Sequence, residues 1–277
     1  MLPEKERRLS VSWLNQLKSA ADEVFSVLGS GYRESVYEEA LAHELRLRGI
    51  AYERQRNFEI LYKGYKVSEG RVDLILNPLW AGTSKAEAVV ELKAVKRVNE
   101  AHIRQAQVYM ASLGIRQGVV LSFGDSVLVE EVAPPKERVE RKVVEPKPGR
   151  GAQVSAGLLT RCAQAVFDYF GSEFIYREGT ERLFPAAIGV ELRLAGVRFA
   201  AASYQLLYKC HPVDEVGFDF VFDRSQVAQV VFYRDEEERA EQVLEFTGLV
   251  RHFGLKRGYL VAIPAGAEGK VRVVAVS

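Results

Sequence analysis

The sequence has little of several residue types, and each scarcity excludes a class of protein. Its 277 residues include only two cysteines, Cys162 and Cys210, which excludes a disulfide-stabilised scaffold and favours a reducing compartment. No apolar run approaches the roughly 18 residues of a membrane span, so no transmembrane helix is expected. The first residues, MLPEKERRLSVSWLNQ, lack the apolar stretch of a signal peptide, and a cytoplasmic location is therefore expected.

Net charge is also nearly absent, because 38 Lys and Arg residues oppose 37 Asp and Glu residues. The total therefore does not indicate a strongly basic nucleic-acid-binding protein. A glycine-rich phosphate-binding loop between a strand and a helix is missing as well, which argues against a doubly wound nucleotide-binding fold. Hydrophobic residues make up 48% of the chain, which is ordinary for a globular protein.

A proline-rich segment near the middle divides the chain. Residues 133–152, APPKERVERKVVEPKPGRGA, contain four prolines, two glycines and many charged residues. Such a segment has little apolar surface to bury and favours an extended conformation. We interpret it as a linker between a first domain, residues 1–132, and a second domain, residues 153–277.

The two halves resemble each other in sequence, which indicates a tandem duplication. HELRLRG (43–49) aligns with VELRLAG (190–196), EILYKGYKVSEGRVDLIL (59–76) with QLLYKCHPVDEVGFDFVF (205–222), and LGIRQGVVL (113–121) with FGLKRGYLV (253–261). Chance similarity of short helices explains one such match, but it is a poor explanation for three matches in the same order.

Hydrophobic periodicity predicts the same order of elements in each half: two helices, three strands, a helix and two strands. In the first half the predicted helices lie near 10–28, 33–48 and 99–113, and the strands near 57–63, 66–76, 87–95, 117–123 and 126–132. In the second half the helices lie near 156–170, 179–195 and 236–253, and the strands near 198–208, 214–222, 227–234, 257–263 and 269–276. The expected fold is α/β, with one mixed sheet flanked by helices in each half.

Charged residues occur within apolar strands of the first half. Asp73 lies in GRVDLIL, and Glu91 and Lys93 lie two residues apart in AVVELKAV, so the latter two share one face of their strand. Burying such groups is costly unless they are paired or bind a ligand. If Asp73 lies on a neighbouring strand, the two carboxylates suit a hard cation such as Mg²⁺. The alternative is a structural ion pair between Glu91 and Lys93.

These residues give the first half a family resemblance. Asp73 followed by Glu91-Leu92-Lys93 resembles the signature of the PD-(D/E)XK nucleases, although Val72 stands at the usual proline position. GSGYRESVYEEAL (29–41) is similar to the motif of the GxxExxY family, a branch of that superfamily, through Gly31, Glu34 and Tyr37. YKG (62–64), RVDLIL (71–76), ELKAV (91–95), QAQVY (105–109) and GVVLSFG (118–124) also stand where that family has them. The resemblance covers roughly residues 20–130.

The resemblance implies an α-β-sheet-α sandwich like that of restriction endonucleases, and hydrolysis of DNA that depends on Mg²⁺ or Mn²⁺. It implies that Asp73 and Glu91 are metal ligands, that Lys93 is the catalytic lysine, that Glu34 completes the metal shell and that Gln105 contacts the site or the scissile phosphate. The alternatives are that Glu34 pairs with an arginine, that Gln105 lies on the surface, and that Tyr37 and Tyr109 are core residues.

The second half retains only part of this set. Asp219 aligns with Asp73, but Phe232 and Arg234 are expected at the positions of Glu91 and Lys93, and Gln242 at that of Gln105. Phenylalanine cannot bind a metal, and arginine does not replace a compact, tunable ammonium. Glu181 aligns with Glu34, Phe184 with Tyr37 and Glu178 with Gly31. We therefore predict that the second half binds no catalytic metal, and that it pairs with the first half as a covalently linked pseudo-dimer or contributes a substrate surface.

Two functions remain open from the sequence. The first is a Mg²⁺-dependent nuclease that acts on DNA, with its active site in the first half. The second is a non-catalytic module that kept the fold and binds nucleic acid or protein. Lys96, Arg97 and Arg104 suit a nucleic-acid backbone or a solvated helix face. Trp80 suits stacking on a base or covering a sheet edge.

Overall fold

The computed structural model describes residues 4–77, 87–134, 153–175, 180–266 and 269–277, and it describes side chains from Trp13 onward. Trp80, Glu178 and residues 135–152 of the expected linker lie outside the described residues. The chain forms two compact units. Unit 1 comprises Met1–Ile60 and Glu69–Val139, and unit 2 comprises Leu61–Ser68 and Glu140–Ser277.

The first repeat contains one mixed sheet and helices on both of its faces. Its elements are α1 (Glu4–Leu28), α2 (Glu34–Leu47), β1 (Tyr52–Tyr62), β2 (Tyr65–Leu76), β3 (Ala88–Lys93), α3 (Glu100–Leu113), β4 (Gln117–Phe123) and β5 (Val127–Glu131). The strand order is β1-β2-β3-β4-β5. The β2–β3 and β4–β5 pairs are antiparallel and the β3–β4 pair is parallel. Helix α1 begins at Glu4 rather than at the expected Ser10, because the residues before Ser10 are good helix formers.

The second repeat has the same order of elements. They are α4 (Ala156–Phe170), α5 (Leu183–Leu194), β6 (Ala200–Tyr208), β7 (His211–Asp223), β8 (Gln226–Tyr233), α6 (Glu236–His252), β9 (Arg257–Pro264) and β10 (Arg272–Val276). The sheet order β10-β9-β8-β7-β6 repeats the order of the first sheet, with β8 and β9 parallel and the other described pairs antiparallel. The predicted α/β class, with two mixed sheets flanked by helices, is confirmed.

Two local features recur in both repeats and support the duplication. Each first hairpin turns through two residues with positive φ: Lys63 and Gly64 at 49° and 82°, and Lys209 and Cys210 at 50° and 66°. Positive φ at both central residues is the turn geometry that matches the twist of a two-residue hairpin. Glycine also recurs where the third helix of each repeat meets the sheet. A Cβ at Gly118 would lie 2.5 Å from Met110 Sδ.

The alternating side chains of β3 separate a hydrophobic core from a polar site. Val90 and Leu92 belong to the buried cluster that α1 and α2 close on one face of the sheet. Glu91 and Lys93 point to the opposite face, where α3 packs and supplies Gln105 to Glu91. The layers therefore place the charged residues of β3 between the sheet and α3.

Candidate functional site

The register of β2 and β3 brings two carboxylates together. Leu74 pairs with Val90 and Ile75 with Val89 in this antiparallel ladder. One step further along the same register places Asp73 opposite Glu91. Opposite residues of an antiparallel pair have Cβ atoms roughly 5 Å apart and point to the same face. Both side chains are buried.

Asp73 is held by a backbone hydrogen bond and is costly to ionise. The N–H of Leu92 donates to Asp73 Oδ2 at 2.8 Å, which fixes the carboxylate beside β3. Burial raises the pKa of Asp73 well above its ordinary value, and the charges of Glu91 and Glu34 raise it further. The hydrogen bond from Leu92 and the charge of Lys93 oppose this rise but do not cancel it. A cation beside Asp73 would therefore relieve an electrostatic cost that the fold carries.

Lys93 and Gln105 both donate to one oxygen of Glu91. Lys93 Nζ lies 2.9 Å from Glu91 Oε1, and Gln105 Nε2 donates to the same oxygen. Burial lowers the pKa of Lys93, but the charges of Glu91, Glu34 and Asp73 outweigh burial and the net change is upward. Gln105 is buried and also lies 3.4 Å from the Tyr109 hydroxyl. The structure thus brings Gln105 to the site rather than to the surface.

Glu34 lies near this group but does not join it as a third close carboxylate. It is the first residue of α2 and is half-buried, and its charge contributes to the pKa changes of Asp73 and Lys93. Across the ranges that the structure describes, no group of three or more His, Cys, Asp or Glu side chains is arranged to hold a metal. Helix α2 packs on the core face of the sheet, and the charge of Glu34 at its first residue acts on both Asp73 and Lys93.

Tyr37 forms hydrogen bonds with the loop that precedes Glu34. Its hydroxyl donates to the carbonyl of Gly29 at 2.8 Å and accepts from the N–H of Tyr32 at 3.3 Å. Gly29 and Gly31 have φ values of 72° and 99°, which other residues rarely adopt. The Tyr37 ring is fully buried and stacks on Phe123 at 4.5 Å. Tyr37 is therefore a core residue that also ties down the turn before α2, and Tyr109 is likewise fully buried.

Ser122 and Gly124 support the end of β3, and the sequence interpretation assigned them no role. Ser122 pairs with Lys93 across β3 and β4, and its hydroxyl donates to the carbonyl of Val95 at 2.5 Å. A Cβ at Gly124 would lie 2.6 Å from the Cα of Lys96, so only glycine fits there. The motif GVVLSFG contained both residues, but only the tertiary structure shows that they hold the segment after Lys93.

Comparison with known proteins agrees with this geometry. The family model described as the PD-(D/E)XK nuclease superfamily matches residues 12–133. The first repeat is thus similar to the PD-(D/E)XK nuclease superfamily. A solved structure titled "Crystal structure of SSO0001" is similar at 20% identity with a TM-score of 0.29, over 37% of this chain and 50% of that protein. The match thus spans about half the length of that solved relative. A search of the curated proteins finds no match.

The side chains of the candidate site fit the divalent metal that the matched superfamily typically uses. Asp73 and Glu91 supply hard carboxylate oxygens from adjacent strands, which Mg²⁺ prefers, and Mg²⁺ keeps several of its own waters. Burial raises the pKa of Asp73, and the negative charges of Glu91 and Glu34 raise it further, so a cation at this position would offset the repulsion among these carboxylates. Two protein carboxylates thus match the way in which Mg²⁺ is commonly held.

The second repeat preserves the register but not the charged residues. Val230 N–H donates to Asp219 Oδ2 at 2.8 Å, as Leu92 does to Asp73. Phe220 pairs with Ala228 and Val221 with Val227, so Gln229 lies opposite Asp219. The assignment of Phe232 to the Glu91 position and Arg234 to the Lys93 position is therefore wrong. Gln229 and Val231 occupy them, because the short β7–β8 connection shifts the alignment by three residues.

Phe232, Arg234 and Gln242 have other roles in the second repeat. The Phe232 ring packs against Phe184 at 5.4 Å, and Arg234 pairs with Glu238 at the start of α6. Gln242 Nε2 donates to the Phe232 carbonyl at 2.8 Å, whereas Gln105 donates to a carboxylate. Among the described residues of this sheet, Asp219 is the one carboxylate at a position that belongs to the candidate site in the first repeat.

No helix in the described part of the chain has both the length and the apolar character needed to cross a bilayer.

Proposed function

We propose that this protein is a Mg²⁺-dependent nuclease that hydrolyses phosphodiester bonds of DNA, with its active site in the first repeat. The observation that carries the proposal is the placement of Asp73 opposite Glu91 with Lys93 and Gln105 donating to one Glu91 oxygen. The match of residues 12–133 to the nuclease superfamily supports it. The loop geometry around Gly31, Glu34 and Tyr37 supports assignment to the GxxExxY branch.

Each residue of the site has a proposed role. Asp73 and Glu91 hold the metal, which when bound lowers the pKa of a water and neutralises phosphate charge. Lys93 presents an ammonium that stabilises negative charge developing on the phosphate. Gln105 orients Glu91 and is placed to donate to the scissile phosphate. Glu34 acts at the margin of the site through a water or through its charge. In the reaction one water oxygen bonds to phosphorus, one ester bond breaks, and the leaving oxygen takes up a proton.

The surface beyond Lys93 supports an anionic substrate. Lys96 and Arg97 are exposed directly after β3, and Arg104 lies on α3 one residue before Gln105. Lysine and arginine are the residues that most often contact a nucleic-acid backbone. Lys96 also forms an exposed ion pair with Asp125 at 3.1 Å, a pair of small energetic value that a phosphate can displace.

We propose a division of labour between two domains, residues 1–132 and 153–277, joined by residues 133–152. The first domain carries the chemistry. The second domain is structural or binds substrate, because Gln229 and Val231 replace the metal-binding glutamate and the lysine.

A cleavage assay tests the proposal directly. Purified protein is incubated with single-stranded, duplex and branched DNA in Mg²⁺, Mn²⁺ or EDTA. Cleavage is expected with either metal and not with EDTA. Lys93→Ala and Asp73→Asn are each expected to lower the rate by about 100-fold or more, as loss of a charge-stabilising group does. Matched controls are Lys256→Ala, an exposed lysine of the second repeat, and Asp219→Asn, the counterpart of Asp73.

The outcome separates this function from its alternative. Failure to cleave any of these substrates, or cleavage that survives Lys93→Ala, contradicts the nuclease proposal. The second candidate is a binding module without catalysis. The hydrogen bonds from Lys93 and Gln105 to Glu91 favour it, since these contacts form without a metal. This candidate predicts DNA or protein binding that is equal with Mg²⁺ and with EDTA.

A further inference from the structure

The same hairpin turn has different surroundings in the two repeats. Tyr62 and Val67 flank the first turn and are 3% and 7% exposed, whereas Tyr208 and Val213 flank the second turn and are 63% and 54% exposed. Leu207 beside Tyr208 is exposed as well. We refer to residues 207–213 as the exposed tip. An apolar group of this kind on a surface commonly marks an interaction site.

The packing of Tyr62 within unit 2 shows what such a turn binds. The Tyr62 ring lies 5.1 Å from the ring of Tyr169 and 5.7 Å from that of Phe170, both at the end of α4. Its hydroxyl donates to Glu191 Oε1 of α5 at 2.6 Å. Lys63 forms an ion pair with the same carboxylate. Tyr62 and Lys63 of the first turn thus contact the end of α4 and Glu191 of α5.

The first repeat has the counterpart of that binding surface, in which Val27 and Leu47 are exposed and Glu44 is half-buried. Glu44 and Leu47 of α2 correspond to Glu191 and Leu194 of α5 in the repeated segment. Val27 of α1 corresponds to Tyr169. Gly29 follows α1 and Gly171 follows α4. Each of these glycines donates its N–H to the carbonyl four residues earlier at 2.8 Å. Val27 and Leu47 are 75% and 69% exposed. We refer to Val27, Glu44 and Leu47 as the helix-end face.

We propose that the exposed tip of one molecule binds the helix-end face of a second copy of this chain. The repeat makes the two surfaces counterparts of a pair already formed within unit 2. Tyr208 is placed to pack on Val27 and to donate to Glu44, and Lys209 carries the charge that complements Glu44. Glu44 already accepts from Arg48 at 2.6 Å, but a carboxylate accepts about four hydrogen bonds and has room for more.

The geometry of this association is head-to-tail, because the two surfaces differ. Such an interface closes into a ring if its rotation allows closure and otherwise extends as a filament. The assembly is independent of the proposed catalysis, since neither surface includes Asp73, Glu91 or Lys93.

Sedimentation velocity of the full chain from low to high micromolar concentration tests the proposal. The wild type is expected to form oligomers whose mass rises with concentration. Tyr208→Ser and the double variant Val27→Ser/Leu47→Ser are each expected to remain monomeric. The matched control is Leu244→Ser, which removes an exposed leucine from α6 and is expected to assemble like the wild type. All four substituted residues are exposed, and circular dichroism of each variant checks that the fold is unchanged.

Mixing the variants distinguishes a head-to-tail contact from a symmetric one. Tyr208→Ser retains the helix-end face, and Val27→Ser/Leu47→Ser retains the tip, so an equimolar mixture is expected to give a one-to-one complex and nothing larger. Lys209→Glu is expected to weaken assembly at least tenfold, and Lys209→Glu with Glu44→Lys to restore it.

Three results overturn the proposal. One is a wild type that is monomeric at every concentration. A second is assembly that Tyr208→Ser leaves unchanged or that Leu244→Ser disrupts equally. The third is a monomeric wild type whose DNA binding falls in Tyr208→Ser, which assigns the tip to the substrate instead.

Discussion

At the scale of single residues, Asp73 and Asp219 occupy the same position in the two repeats but have different charged neighbours. Both accept a backbone N–H from the next strand, and burial raises the pKa of both. Around Asp73 the charges of Glu91 and Glu34 raise the pKa further, whereas Arg182 partly offsets burial at Asp219. The electrostatic cost is therefore concentrated where the metal is proposed to bind.

Asp73→Asn is expected to stabilise the protein at neutral pH while abolishing cleavage. A carboxyl whose folded pKa lies above its unfolded value lowers the free energy of unfolding at neutral pH. This cost disappears as the pH falls through the folded pKa towards the unfolded value, and each tenfold difference in proton affinity is about 1.4 kcal/mol. Urea unfolding at neutral pH and near pH 4 checks this, and the gain must shrink at the lower pH.

Mg²⁺ and Asp219→Asn provide the controls for that measurement. Mg²⁺ is expected to raise the free energy of unfolding of the wild type and of Asp219→Asn, since a ligand that binds only the native state stabilises it. It is expected to have no effect on Asp73→Asn. An equal effect of Mg²⁺ on all three proteins contradicts the assignment of Asp73 as a ligand.

Tyr37→Phe is expected to loosen the turn before Glu34. The change keeps the ring stacked on Phe123 but removes the hydrogen bonds to Gly29 and Tyr32. The expected loss of stability is about 1 kcal/mol, the usual net value of a buried hydrogen bond. If Glu34 contributes to metal binding, cleavage will need a higher Mg²⁺ concentration for half-maximal rate. An unchanged Mg²⁺ dependence would remove the proposed link between the turn and the site.

At the scale of elements, the approach of α3 to the sheet positions Gln105 against Glu91. Gly118 on β4 permits this approach, because the Met110 side chain fills the place of its missing Cβ. Gly258 on β9 does the same for α6 beneath Val250 and Phe246. The helix-to-sheet distance is thus set by a glycine in both repeats, although only the first places a polar side chain at the resulting contact with a carboxylate.

Gly118→Ala is expected to destabilise the protein by about 1–3 kcal/mol, as overpacking of a core does. It also displaces α3, so cleavage is expected to fall by more than the folded fraction does. Gly248→Ala on α6 is the control, since a Cβ there would meet no atom within 4 Å and alanine favours a helix by about 1 kcal/mol. Thermal unfolding of both variants checks the opposite signs, and a neutral Gly118→Ala would show that α3 can shift freely.

At the scale of the whole molecule, one chain holds a charged site and a neutral counterpart. The near-zero net charge of the chain therefore does not count against a nucleic-acid substrate, because the proposed active site lies in one repeat only. Restoring the charged pair in the second repeat requires more than two side chains. The packing of Met110 on Gly118 and of Val250 on Gly258 aligns Gln105 with Glu245, which is exposed, so among the described residues no buried amide lies ready to donate to a new glutamate at Gln229.

Gln229→Glu with Val231→Lys is expected to destabilise the protein by about 1 kcal/mol or more, because charges at these half-buried positions lose part of their hydration without gaining complete hydrogen bonding. In a Lys93→Ala background the double change is expected to restore no cleavage. Urea unfolding and the DNA assay measure the two effects. Restored Mg²⁺-dependent cleavage would show instead that the second repeat retains a nearly complete site.

The sequence by itself determined the order of elements, the similarity of the two halves and the charged residues that form the candidate site. Periodicity records which positions face a core, and a charged Asp73, Glu91 or Lys93 in an apolar strand is visible without a structure. Element ends were less certain, as the earlier start of α1 shows, because helix formers extend a helix past a candidate cap.

Only the tertiary structure decided the pairings. Strand register depends on backbone hydrogen bonds and on the length of a connection, so Gln229 rather than Phe232 became the counterpart of Glu91. The contact of Gln105 with Glu91 depends on how closely a helix packs, which a linear pattern does not record. Tyr62 and Tyr208 occupy the same position of a repeated motif, yet one is buried and the other exposed. The two tyrosines differ in exposure because Tyr62 packs against α4 and α5, whereas Tyr208 does not lie in such a contact within the described residues. Burial depends on packing and not on residue type.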